Sequence, residues 1–236
     1  NTRKRTELEY DIVKYHNNQM VRKISLNSCY GALGNQYFRY FNREIAEGIT
    51  TAGQLSIKWI EKAVNDYLNK LLDTNDDYVV AIDTDSIYVV FDKLVSRVNP
   101  KNPIDFLDTV AKEKIEPMMS ESYEELASYV NAYQNKMDMS REVIADKGIW
   151  TAKKRYILNV HDSEGVRYKK PKLKMMGIET AKSSTPMWCR KKLEEGLKVV
   201  MGGTESDVWE FITNARNEFK RLPIEEISFP RGVQNV

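Results

Sequence analysis

Residues 79–91 read VVAIDTDSIYVVF, two runs of apolar and β-branched residues separated by Asp83, Thr84, Asp85 and Ser86. Short apolar runs of this kind favour strands, and Asp, Thr and Ser between them favour a tight turn, so the stretch predicts a hairpin. Nearly every flanking position is apolar, from Val79 to Ile82 and from Ile87 to Phe91, which predicts a hairpin covered on both faces. Two aspartates at i and i+2 project in similar directions if strand geometry persists to the tip. Carboxylates so placed repel and call for a cation. Hard divalent ions such as Mg²⁺ take oxygen ligands from one or two carboxylates plus substrate phosphates. The same four residues also make a good turn with no ligand, and the stretch alone leaves both readings open.

Helical periodicity surrounds the hairpin. Upstream, Val13, Met20 and Ile24, flanked by Ile12 and Val21, predict a helix from Glu7 that ends near Gly31. A second helix carries Ala52, Ser56, Trp59, Ile60, Ala63, Val64, Tyr67, Leu68 and Leu71 at three- and four-residue steps and stops at DTNDD, residues 73–77. Downstream, Pro103 suits the first position of a helix and opens two amphipathic stretches, Ile104 to Ile115 and Ser120 to Tyr133. Residues 140–177 are rich in β-branched and aromatic side chains, with DSEG at 162–165 as a hairpin turn, and predict a small antiparallel sheet. Two C-terminal helices follow, the second opened by a capping box between Thr204 and Asp207. The order of helices, hairpin, helices, small sheet and helices is an α+β arrangement.

The composition permits this. A chain of 236 residues with 42% hydrophobic content can bury a core, and a net charge of +2 neither demands nor excludes an anionic partner. Cys29 and Cys189 lie far apart with no metal-ligand spacing, which suits a reducing compartment and plain packing roles. No run approaches the roughly 18 apolar residues of a membrane span, and NTRKRTELEY lacks a signal-peptide core, so a cytoplasmic protein with no membrane partner is expected. The first residue is Asn rather than Met, and the chain reads as processed or as part of something longer.

Charge is distributed unevenly. In RKISLNSCYGALGN, residues 22–35, Lys23, Asn27 and Tyr30 stand at i, i+4 and i+7 and share one helix face, followed by Gly31. Lys suits a phosphate, Tyr can lie against a base, and Gly permits close approach. An ordinary amphipathic helix with a solvated Lys and a C-capping Gly31 fits equally well. From Lys147 to Lys174 there are nine Lys or Arg against two acids, Asp162 and Glu164, interleaved with Trp150, Tyr156 and Tyr168. Basic strands with aromatic residues suit a nucleic-acid backbone, and a merely solvated face is the alternative.

KISLNSCYG resembles motif B of the family B (α-like) DNA polymerases, and DTDS, some fifty residues on, resembles their motif C. WTAKKRYILNV is similar to the family's Lys-Lys-Arg-Tyr element, PKLKMMGIETAKSSTP to its KxKxxGxE stretch, and LPIEEISFPRGV to a segment of the thumb. The matches run in family order from about residue 20 to about residue 233, with wording closest to the T-even bacteriophage branch. The resemblance implies part of a polymerase: residues 1–42 the end of the fingers, 43–184 the palm, and 185–236 the start of the helical thumb. It further implies primer-template DNA and a deoxynucleoside triphosphate as partners, Mg²⁺ as cofactor, and an infected bacterial cell as the setting. Lys23 would hold the nucleotide's phosphates, with Asn27 in the same pocket. Tyr30 would pack beside the nascent base pair, with Gly31 allowing it. Asp85 would be a metal ligand, and Asp83 would support the metals or primer end. Lys153, Lys154, Arg155, Tyr156, Lys172 and Lys174 would contact the primer duplex.

Residues 1–21 contain nothing like motif A, which supplies the family's second catalytic Asp, and Ala81-Ile82 stands where the family usually has Tyr-Gly. The expectation is therefore a polymerase portion that is inactive alone and completed by a separate N-terminal portion. Ile82 would crowd the primer terminus, and an open sheet edge would favour self-association. A non-catalytic module that binds primer-template or a partner is the competing reading. An unrelated metal-dependent phosphotransferase would need motif B to be accidental.

Overall fold

The computed structural model describes residues 2–232, which are mixed helix and sheet, as the α+β expectation requires. They divide into two compact units, one of residues up to 62 with 84–86, the other of residues 63–83 with 87 onward. Among the described residues no helix is long and apolar enough to cross a membrane.

The first unit contains helix α1 (Thr2–Leu33) and the start of helix α2 (Arg43–Leu72). The predicted limits of α1 were too narrow: it begins at Thr2 and runs two residues past Gly31, so Gly31 lies inside the helix and is not its cap. Its apolar side chains from Leu8 to Leu26, among them Ile12, Val13, Met20 and Ile24, are exposed. The amide of Asn42 donates to Leu33 O (3.0 Å), and the Asn42 side chain accepts from the Ile45 amide (2.9 Å), so one residue closes the connecting loop and caps α2. Along α2 the middle of the predicted stripe is buried, at Ser56, Ile60, Val64 and Leu68, with no exposed surface on Ile60 or Val64, whereas its two ends, Ala52 and Leu71, are exposed.

The second unit explains where the hairpin starts. From the last turns of α2, Asn65 accepts from the Tyr78 amide (2.8 Å) and Asn69 accepts from the Asp76 amide (2.8 Å). Arg97 donates to Leu72 O (3.2 Å), satisfying a carbonyl at the helix end. Strands β1 (Val79–Asp83) and β2 (Ser86–Val89) pair as a two-stranded sheet. The expected cover on both faces is absent. Val79 is buried, whereas Val80 is 51% and Ile82 37% exposed, because period-two alternation turns those two side chains to the face opposite Val79, Ala81 and Asp83.

Helix α3 (Asp92–Val98), which the sequence reading did not separate out, precedes helix α4 (Pro103–Val110). Pro103 stands in the first turn as expected, and Asn102 caps it by accepting from the Ile104 and Asp105 amides. The two predicted amphipathic stretches run on without a break: α4 passes through a π-helical stretch, Ala111–Ile115, into helix α5 (Glu116–Tyr129). Pro117 lacks an N–H just where the wider register ends, so the change of register and the proline coincide.

Strands β3 (Val143–Ala152), β4 (Arg155–Ser163) and β5 (Val166–Met176) form the predicted antiparallel sheet in sequence order. The DSEG turn is borne out, with Glu164 and Gly165 both at positive φ (51° and 84°), the pair a two-residue turn of this hand needs. Strand β4 is central and buries apolar side chains on both faces. Tyr156, Leu158 and Val160 are buried with Tyr88, Val143 and Tyr168 on one side. Ile157 packs with Ile178, Met201 and Leu197 on the other.

Helices α6 (Met187–Gly202) and α7 (Glu205–Phe219) follow, with a short α8 (Ile224–Ile227). The capping box is present: the Asp207 carboxylate accepts from the Thr204 amide (2.7 Å), and Thr204 Oγ1 accepts from the Asp207 amide (3.4 Å). These contacts, the backbone bond first, hold the Asp207 carboxyl below its usual range. Thr204→Ala is expected to cost about 1 kcal/mol and to lower the melting temperature by about 2–4 °C in a thermal melt followed by circular dichroism.

Candidate functional site

The hairpin tip sets the geometry. Strand β1 ends at Asp83, Thr84 and Asp85 form the turn, and β2 resumes at Ser86. Strand geometry therefore does not persist to Asp85, and the period-two argument for two parallel carboxylates reaches Asp83 alone. Thr84 has φ of 59°, a left-handed conformation that costs a β-branched residue energy and that glycine would adopt freely. A strained, non-glycine turn is kept between the two acids. Asp83 is half-buried and Asp85 is exposed. Among the described residues no three His, Cys, Asp or Glu side chains form a group suited to a metal ion.

Beside Asp83 lies the turn between β3 and β4. Lys153 and Lys154 form it, with Lys154 at φ of 62°, and Lys154 Nζ is 3.9 Å from Asp83 Oδ1. An aromatic cluster joins β2 to β3 and β4. The Tyr88 ring of β2 sits 5.3 Å from Trp150 of β3, edge-on, and 5.3 Å from Tyr156 of β4, tilted. Such ring pairs add about 0.5–1.5 kcal/mol each to the area they bury. Tyr156 is only 6% exposed, and its ring packs β2 on the sheet.

The segment after β5 grips the same turn. Arg155 is ion-paired with Glu179, the first residue of a 3₁₀ turn, and Gly177 has φ of 65°. A Cβ on Gly177 would press into the carbonyl oxygen of Lys154 and lie 3.1 Å from Arg155 Cγ. The Glu179 carboxyl is held below its usual range, chiefly by its own backbone N–H; burial opposes this and Arg155 adds to it. Of the other predicted contacts, Lys172 Nζ lies 4.2 Å over the Tyr168 ring, and Lys174 pairs with Glu142 (2.8 Å).

Lys23, Asn27, Tyr30 and Gly31 fall on α1 in the first unit, where the unbroken helix places the first three on one face as predicted. All four are exposed, and a Cβ on Gly31 would meet no atom of the chain within 4 Å. The glycine is thus not required by the chain's own packing. Tyr30 also lines an open hollow of about 380 Å³ with Gly34, Phe41, Arg43, Ala46, Glu47 and Thr50.

Asp83 and Asp85 on a strained tip, a dibasic turn beside Asp83 and a basic, aromatic-bearing sheet are the order of features that the quoted motifs imply, and residues 3–227 match the sequence model of DNA polymerase family B. The chain belongs to DNA polymerase family B. It is 42% identical over 226 residues to the DNA-directed DNA polymerase of Enterobacteria phage T4, covering 89% of this chain and 25% of that protein. It is likewise 42% identical over 233 residues to that of Escherichia phage RB69, covering 92% of this chain and 26% of that protein. The chain spans about a quarter of the length of the curated relatives it matches. The resemblance to the T-even phage polymerases stated from the motifs is therefore borne out.

Within this family B chain the sequence reading missed four contributors. Tyr88 is not among the apolar positions that mark the hairpin, and its ring contacts to Trp150 and Tyr156 bridge sequence separations that no local pattern reveals. Gly177 and Glu179 were quoted only as part of a motif, although a lone Gly at the end of a strand is itself a signal of positive φ. Arg141 was passed over entirely. It pairs with Asp108 (2.6 Å) and Asp162 (2.5 Å) and ties α4 to the β4–β5 turn.

Proposed function

We propose that the chain is part of a DNA-directed DNA polymerase that performs template-directed nucleotidyl transfer, with the end of the fingers at residues 1–42, the palm at 43–184 and the start of the thumb at 185–236. One observation carries the reading: in a family B chain, Tyr88, Trp150 and Tyr156 join β2 to the basic sheet, and Lys154 of the Lys153–Lys154 turn lies 3.9 Å from Asp83. Asp85 and Asp83 offer hard oxygen donors that fit Mg²⁺ as part of a ligand set, completed by the motif A Asp from outside residues 1–236. Bound divalent ions would supply charge neutralisation for in-line phosphoryl transfer.

The chain's own residues do the rest. Lys23 holds the triphosphate as a point charge, Asn27 stands in the same pocket, and Tyr30 packs beside the nascent base pair in the room left by Gly31. Lys153, Lys154, Arg155, Lys172 and Lys174 hold the primer duplex through its phosphates, and the exposed Val80 and Ile82 fit a surface covered in the assembled enzyme. Ile82 lies on the strand face opposite Asp83, which supports a primer end approaching the carboxylate side unhindered.

Primer extension with Mg²⁺ tests this. The chain alone is expected to extend nothing, and the chain mixed with a polymerase portion carrying motif A is expected to extend primers in a template-directed way. Duplex binding with no extension in any mixture would replace this reading by the non-catalytic binding module.

A further inference from the structure

Two motifs that are separate in sequence meet at the Lys153–Lys154 turn. Lysine has no conformational liking for positive φ, yet Lys154 stands at 62°. The turn has none of the Gly, Asn or Pro residues that normally dictate such a shape. What surrounds it supplies the shape instead. Gly177 brings backbone against the Lys154 carbonyl at a place where a side chain would not fit, and Glu179, two residues on, takes the Arg155 guanidinium. The two contacts act on consecutive residues from one short segment. One meets the carbonyl of the turn and the other the side chain of the residue that follows it.

We propose that Gly177 and Glu179 are positioning residues that hold the Lys153–Lys154 turn in the orientation that presents it to a nucleic-acid backbone. This rests on the reading of the basic sheet as a duplex surface. The charge of Glu179 makes the idea testable by sign. As a mere surface acid beside a basic turn, Glu179 opposes an anionic duplex, and removing its charge tightens binding. As a positioning residue it does the opposite: without it the turn loosens and a phosphate contact is lost.

The experiment is fluorescence anisotropy of a labelled primer-template duplex titrated with the full 236-residue chain over a range of salt concentrations, for wild type, Glu179→Gln and Glu194→Gln. Glu194 is a control carboxylate on α6 that pairs with Lys198 (2.8 Å). Glu179→Gln is expected to weaken binding by on the order of tenfold at low salt and to flatten the log–log salt slope by about one, the signature of one lost phosphate contact. Glu194→Gln is expected to bind as well as wild type or slightly better. Glu179 is partly exposed, so its variant keeps the fold, which an unchanged thermal melt verifies. Gly177→Ala gives a second measurement, with the same loss of affinity and slope in whatever fraction folds. Unchanged or tighter binding by Glu179→Gln overturns the positioning role while leaving the duplex surface intact. Absence of binding by the wild-type chain overturns the duplex surface itself, and the positioning role with it.

Discussion

Asp85→Ala is expected to lower primer extension by the assembled enzyme by at least about 10³-fold while leaving duplex binding undiminished. The two halves of this result have separate causes. Asp85 is exposed at a turn, so truncating it removes no packing and opens no cavity. It also removes a negative charge from a surface that meets an anionic duplex, so affinity for DNA holds or rises slightly. The rate falls because phosphoryl transfer depends on divalent charge held at the reacting oxygens, and a missing carboxylate cannot be replaced by the surrounding basic residues. Asp83→Ala is expected to do less, because Asp83 is half-buried, faces Lys154 and is assigned the less direct role. Single-turnover incorporation at saturating nucleotide, with anisotropy for the duplex, reads both quantities. A rate within tenfold of wild type for Asp85→Ala would return DTDS to its other reading, a turn and nothing more.

That other reading shows what a sequence can and cannot carry. The hairpin, the DSEG turn, the buried stripe of α2, the proline-opened α4 and the Thr204 capping box are all local: each is decided by residues within a few positions of one another, and each is present. Motif B was legible for the same reason, since i, i+4 and i+7 lie on one face of any unbroken helix. What the local pattern did not reach was burial, which depends on neighbours from elsewhere. Apolar content suggested that Val80 and Ile82 were covered, but cover depends on what packs against a strand, and these two are exposed. Tyr156 looked like one more aromatic residue among basic ones, and it is buried because Tyr88, some seventy residues earlier, lies across it. The Lys153–Lys154 turn has no turn residues in it, and its shape is imposed by Gly177 and Glu179. Family resemblance named these residues together without giving the physical reason they occur together.

Asp162 is the clearest case of that kind, and Asp162→Asn is expected to destabilise the fold well beyond Thr204→Ala. Its side chain is buried, with the residue 1% exposed, and it accepts from Arg141 (2.5 Å), Arg167 (3.1 Å) and the Gly165 amide (3.0 Å). Arg141 also reaches Asp108 and Arg167 reaches Asp105 (2.7 Å), so one carboxylate ties the β4–β5 turn to both ends of α4. Neutralising it leaves a nearly buried Arg141 with only Asp108 to balance it. Breaking a buried pair from one side costs about 3 kcal/mol, which for a chain of this size means a fall of about 6–12 °C in melting temperature. Glu142→Gln, which breaks the more exposed pair with Lys174, is expected to change stability by less than about 0.5 kcal/mol. The network also predicts an acid response. Burial is the largest influence on the Asp162 carboxyl and pushes it up, but hydrogen bonds from Arg141, Arg167 and Gly165 outweigh it and leave it below the usual value. Asp108 is lowered too, chiefly by Lys112, with Arg141 adding to it against the opposing effect of burial. Carboxyls whose folded-state value lies below their unfolded value stabilise the fold fully above the unfolded value of about 3.9, and that contribution is lost as pH falls through the lowered folded value. Wild type is therefore expected to hold a constant unfolding midpoint in urea from neutral pH down to about 5 and to lose stability below it. Asp162→Asn starts lower and declines less steeply, because one of the linked protons is gone. Equal acid slopes for the two proteins, or a melting point for the variant within about 2 °C of wild type, would show that Arg141 is balanced without Asp162 and that the α4 to β4–β5 tie does not stabilise this part of the fold.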